Sequence, residues 1–440
     1  MHDVLDPCDT VPDEVDQLLL TGHRVPTDLR TRIEQARAAG DRAALRGLLP
    51  LLEAGAERAA DWPYDEPDDL DTILARLPGA ASPASTPASS AADDLADRIA
   101  GAWYGRCAGC CVGKPVEGLT PAQIRAYLAD AGAWPLRGYI PLSDRLPAGV
   151  ERLNPSATEA TLGHVDGMPR DDDVDYTVLG LHLLERYGRS FTRDDVAREW
   201  LDKLPFLQTF TAERATYRNI VSGVAVGEAG RYRNPYREWI GALIRADVFG
   251  YVNPGAPLAA ARLAYVDASL SHTGNGIYGE MWAAALVAGA FVSGSCAEAV
   301  ERSLGYVPRG SRLAQTVGHV VELHRRGGSW EEAIAWVDAT FREHSWVHTL
   351  NNAAVIVAGL LWSGDDPAAA IGLTVQAGYD TDSSAATVGS VMGALLGASQ
   401  LPEHLVAPLA DRVRSAVRGY DGSRISELAT RTLALAEAGR

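Results

Sequence analysis

From Asp93 to the C-terminus, apolar residues recur at helical rather than strand spacing, and this pattern constrains the fold more than any other feature. The stretches Asp94–Tyr104, Val174–Tyr187, Asp194–Leu204, Glu280–Phe291, Trp330–Phe341 and Ser384–Leu396 all read as helices. Period-2 alternation bounded by turn residues is scarce, and there is no repeat of solenoid length. The spacing predicts an all-α bundle. The last of these helices is rich in small residues (Ala385, Ala386, Gly389, Gly393, Ala394), with Gly397 just beyond. Small side chains let helix backbones approach closely, so a tight crossing is expected there.

Ahead of this body, residues 1–77 are expected to form a small helical extension. Leu29, Ile33, Ala36, Leu45, Leu48, Leu49 and Leu52 predict a helical hairpin over residues 28–60, and a further short helix is expected at Asp69–Arg76. Residues 78–92 have the Pro/Ser/Ala bias of a mobile linker. That leaves residues 93–440 as the main domain. The first residues are acidic and interrupted by proline, without the basic start and apolar core of a secretion signal. The longest apolar run, Met281–Val292, is too short to cross a bilayer.

Asp and Glu number 57 against 40 Lys and Arg. This balance argues against nucleic-acid binding, which needs a basic face to displace counterions. An anionic ligand would need a local arginine cluster or a bound metal. Of the five cysteines, Cys107, Cys110 and Cys111 share one helical face. No second Cys/His cluster completes a zinc site around them, and small core residues are the simpler reading. A reducing cytoplasm suits such a chain.

Two acidic clusters far apart in sequence each stand just before a helix: Asp171-Asp172-Asp173, and Asp380-Thr381-Asp382-Ser383. Helix capping explains part of this, because Asp satisfies free N–H groups and meets the positive end of the helix dipole. Three consecutive carboxylates exceed what capping requires, and their mutual repulsion calls for a cation. Carboxylates plus the Ser383 hydroxyl are hard oxygen donors, which select magnesium, manganese or calcium over zinc or copper. Two clusters also suit two ions sharing carboxylates.

The chain resembles the ADP-ribosylglycohydrolase family in three separated motifs, over roughly residues 93–435. A glycine-rich helix ends in a glutamate, here Gly105 through Gly109, Gly113 and Pro115 to Glu117. A Thr-Asp-Asp helix start is matched by Asp171-Asp172-Asp173, and an Asp-Thr-Asp-Thr entry to a small-residue helix by Asp380-Thr381-Asp382-Ser383. A weaker match places His272 before a glycine-containing segment.

The resemblance implies a compact orthogonal helical bundle. It also implies a magnesium-dependent glycosidase with two ions, in which Mn2+ can substitute, and which acts on an ADP-ribose-type small molecule or an ADP-ribosylated acceptor. Carried over by position, Asp171, Asp172, Asp173, Asp380, Asp382 and Ser383 are the implied metal ligands. Glu117, Asp172 and Asp382 are the implied catalytic groups, and Gly241, Arg245 and His272 the implied substrate contacts. Three departures stand out. Asp171 and Ser383 replace threonines, Cys110 replaces an aspartate, and only Gly241 and Arg245 remain of a glycine-rich phosphate loop. The arginines of that region can hold phosphate bidentately or act as ion-paired struts. Two other readings stay open: a non-catalytic ADP-ribose binder or structural protein, and a metal-dependent phosphohydrolase acting on a nucleotide pyrophosphate. The acceptor, whether Arg, Ser, a nucleobase or a small metabolite, is not indicated by the residues.

Overall fold

The computed structural model describes residues 5–81 and 92–439, and the described residues are predominantly helical. Most of the expected linker, residues 82–91, lies outside them. At its edges, Pro78–Ala81 forms a single 3-10 turn and Ala92 already opens a helix. The only strand ladder among the described residues pairs His23–Arg24 with Glu57–Arg58. The expected helices are all present: the hairpin as Thr27–Ala38 and Arg42–Gly55, and the acidic entries as Asp172–Tyr187 and Thr381–Leu396. Several further helices were not named from the spacing, the first of them in the extension. Pro7–Leu20 begins with proline in its first turn, where a missing N–H costs nothing, under an Asp6 cap; it absorbs Pro12 one turn later.

Two helices place the site. Gly274–Ala290 is buried along its whole length, as a helix apolar on every side must be, and forms the centre of the bundle. Against this core, Ala92–Gly113 runs antiparallel to Thr381–Leu396 at very short range. A Cβ added at Gly105 would lie 2.1 Å from the Gly389 carbonyl oxygen, and at Gly109 2.0 Å from that of Ala385. At Gly113 it would lie 2.2 Å from the Thr381 oxygen, and Thr381 Oγ1 donates to the Gly113 carbonyl at 2.7 Å. The expected tight crossing is therefore glycine against backbone on both sides, and its register carries the chain after Gly113 up to the Asp380–Asp382 turn.

Because the clashing atoms are backbone, no rotamer change relieves them. Gly105→Ala will cost about 1–3 kcal/mol or more, as overpacking does. A fall in thermal midpoint is the expected measurement; an unchanged midpoint would contradict the packing described.

The extension has its own small core of Val11, Val15, Leu18, Leu29, Ile33, Leu45, Leu48 and Leu52. Buried polar contacts tie it to the body. Arg312 bridges Glu66 of the extension and Glu238 of the body, at 2.8 and 2.7 Å. Gln17 donates to Glu238 at 3.0 Å, and Arg237 pairs with Glu14 at 2.7 Å. Burial works against the Glu238 charge, but Arg312 overrides it and holds the carboxyl well below its ordinary range. A polar cavity of about 270 Å³ lies along this seam.

Candidate active site

The glycine helix ends at Gly113, and one 3-10 turn, Lys114–Val116, delivers Glu117 half-buried beside the Asp380 turn. Glu117 accepts a hydrogen bond from Asn154 Nδ2. Asn154 is itself held by the Pro115 carbonyl at 3.0 Å and by the Ser156 N–H at 2.8 Å. Burial first, and then the Asp382 carboxylate, push the Glu117 carboxyl well above its ordinary range.

Asp171 caps the Asp172 helix by accepting from Asp173 N–H at 3.0 Å, and its other oxygen pairs with the Lys114 ammonium. Asp173 is 2% exposed. One of its oxygens accepts from the Cys110 thiol at 3.6 Å, while Oδ1 has no partner. Its carbonyl is gripped by Arg106, whose Nη1 pairs with Asp247 at 2.7 Å. Burial and the neighbouring Asp171 charge raise Asp172 to about 7. Asp175, one turn on, faces elsewhere: Arg170, Ser415 Oγ and the Ala416 N–H occupy its oxygens.

At the second entry, Asp380 holds the N-cap position of its helix with φ −87° and ψ 82°, and its N–H donates to Asn352 Oδ1 at 3.1 Å. This non-helical backbone is why two residues that diverge on a regular helix can share a site. Asn352 is fixed in turn by the His348 and Trp346 carbonyls, both at 2.9 Å. Ser383 is buried on the same turn, and its N–H donates to Asp382 at 3.2 Å.

Two groups of ligand atoms result, each with all members within 4.8 Å of one another: Cys110, Asp171, Asp173 and Asp382; and Glu117, Asp380 and Asp382. Asp382 belongs to both, and Asp172 to neither. Burial and mutual repulsion raise Asp173, Asp380 and Asp382, a tension that a divalent cation relieves. Hard carboxylate oxygens, one of them buried without a partner, are the donor set such a cation requires.

A family model described as ADP-ribosylglycohydrolase matches residues 91–440. The chain belongs to the ADP-ribosylglycohydrolase family. A solved ADP-ribosylglycohydrolase-related protein complex is similar over 79% of this chain and 100% of its own, with a TM-score of 0.51 at 19% identity, and so shares the fold. None of the curated proteins matches.

In this ADP-ribosylglycohydrolase family member, Gly241, Arg245 and His272 do not join the carboxylates. Arg245 is 2% exposed, and its guanidinium pairs with Asp267, with Glu213 at 2.6 Å and with Glu280 at 3.5 Å. It also donates to the Gly241 carbonyl at 3.3 Å. A Cβ at Gly241 would lie 2.3 Å from the Glu213 carboxylate, so the glycine makes room for that pair. His272 is buried and shares a 2.8 Å hydrogen bond with Ser271 Oγ. Burial, reinforced by Arg245, holds the imidazole neutral. This geometry is that of an ion-paired strut. Nearby, Tyr236 and Trp239 pack on each other with ring centroids 4.5 Å apart and are buried.

Sequence reasoning did not single out Asn154, Asn352, Arg106 or Lys114. Asn352 and Arg106 act on backbone groups, and Asn154 reaches Glu117 from a distant segment, so none leaves a local signature. Lys114 lies inside the glycine-rich motif.

Proposed function

We propose that this chain is a magnesium-dependent hydrolase, with manganese able to substitute. It cleaves the glycosidic bond at C1 of an ADP-ribosyl or related ribosyl conjugate and releases ADP-ribose or a similar product. The observation that carries this reading is the half-buried Glu117 facing a carboxylate pair, Asp380 and Asp382, that no cationic side chain neutralises by a direct ion pair among the described residues.

Asp380 and Asp382, with Asp172, Asp173 and Ser383 around them and Asp171 at the edge, are the groups that would hold metal. When bound, the cation supplies the charge that orients ribose hydroxyls and a water. Glu117, steadied by Asn154, gives a proton to the leaving group or takes one from the attacking water. Its raised pKa suits the acid role. Asp172 and Asp382 lend negative charge to an oxocarbenium-like transition state at C1. Arg245 is left out of the ligand contacts, because three carboxylates already engage its guanidinium. The five cysteines are free thiols, which suits a cytoplasmic setting, and no helix among the described residues is long and apolar enough to cross a membrane.

Product analysis tests the proposal. Incubation with ADP-ribosyl-arginine and ADP-ribosyl-serine peptides and with small conjugates, in magnesium, is expected to release ADP-ribose from at least one of them. A chelator will abolish that release and manganese will restore it. Inorganic phosphate or a nucleoside monophosphate as product would assign a phosphohydrolase. Binding without turnover would assign a non-catalytic binder.

A further inference from the structure

The two groups of ligand atoms are not equivalent. The ammonium of Lys114 pairs directly with Asp171, and its side chain is only 9% exposed. The charges that act on it most strongly after burial are those of Asp171 and Asp382, two members of the first group. Cys110 contributes a thiol that donates to Asp173, and burial together with the neighbouring carboxylates keeps that thiol protonated. It is a donor there and not a thiolate ligand.

The second group, Glu117, Asp380 and Asp382, makes no ion pair with Lys, Arg or His among the described residues. Asp173, a member of the first group, leaves its Oδ1 buried without a partner. Asp173 lies near enough to the second group for its charge to act on Asp380. Arg106 and Arg170 are engaged by Asp247 and Asp175.

We infer that Lys114 is a fixed cation that takes the place of one metal ion, so that the site binds a single divalent ion, on the Asp380 and Asp382 side. The physical reason is charge density. A lysine ammonium is a compact point charge, and a divalent ion placed in the first group would sit against it in a buried site, where like charges repel strongly. This inference rests on the metal-dependent reading above and narrows the two-ion expectation drawn from the sequence to one.

The test counts ions rather than turnover. The full chain, stripped with a chelator, is titrated with Mn2+ by calorimetry, and the loaded protein is examined by electron paramagnetic resonance. Wild type is expected to bind one Mn2+ per chain, with the signal of an isolated ion. Lys114→Met is expected to bind two, with the altered signal of a spin-coupled pair. Lys114→Arg, which keeps the charge, is expected to bind one. Two ions in wild type would overturn the inference and leave the metal-dependent reading standing, as would a folded Lys114→Met protein that still binds one. No bound ion in wild type would overturn both. If Lys114→Met does not fold, one ion in both wild type and Lys114→Arg supports the inference, and two in either overturns it.

Discussion

Glu117→Gln will lower kcat by about 10²–10⁴-fold, the range a positioned general acid contributes, while affinity for ADP-ribose changes little. Gln keeps the size of the side chain but cannot give up or accept the proton. The contacts that hold the ligand are expected elsewhere, on the ion and on the Asp380 turn. A group that acts only in the transition state changes kcat and kcat/KM together. Turnover and equilibrium binding are therefore to be measured on the same preparation. If affinity falls as far as turnover, Glu117 belongs to binding and not to proton transfer.

The second large effect lies away from the chemistry. Arg245→Met will lower stability by about 3–5 kcal/mol, the cost of leaving a buried charge without its partner. Here Glu213, Asp267 and Glu280 would all lose their shared guanidinium. Urea unfolding measures this directly. An arginine that grips a substrate phosphate behaves differently: its loss raises KM and leaves the unfolding curve where it was. The same variant thus separates the strut from the phosphate contact that the family resemblance implies.

Arg245 also shows where sequence reading runs out. Gly241 and Arg245 are four residues apart and fit a phosphate loop on spacing. Whether the guanidinium meets a phosphate or a carboxylate depends on Glu213, Asp267 and Glu280, which arrive from three other helices. No local pattern carries that information. The acidic entries were legible for the opposite reason. Asp171–Asp173 and Asp380–Asp382 are dense, each opens a helix, and repulsion among consecutive carboxylates is visible without any fold.

The close crossing was legible from the small residues of the last helix, but its partner, the glycine row Gly101, Gly105, Gly109 and Gly113, emerged only in the fold. Pro7 and Pro12 hid the first helix, because proline reads as a breaker wherever the cap and first turn are not recognised. Lys114 was hidden differently. In sequence it is one more surface-type residue among small ones, and only the fold turns its ammonium inward to Asp171. How the extension meets the body was likewise beyond sequence, since Glu66, Glu238 and Arg312 are brought together from three distant segments.

The central claim is that the carboxylates of the Asp172 and Thr381 helix entries, with Glu117, form the place where metal and ribose meet. One crystal structure grown with manganese and ADP-ribose tests it most directly. Anomalous density is expected between Asp380 and Asp382, with the ribose C1 facing Glu117. Density-free carboxylates, or ADP-ribose lodged instead in the polar seam between Arg312 and the extension, would contradict it.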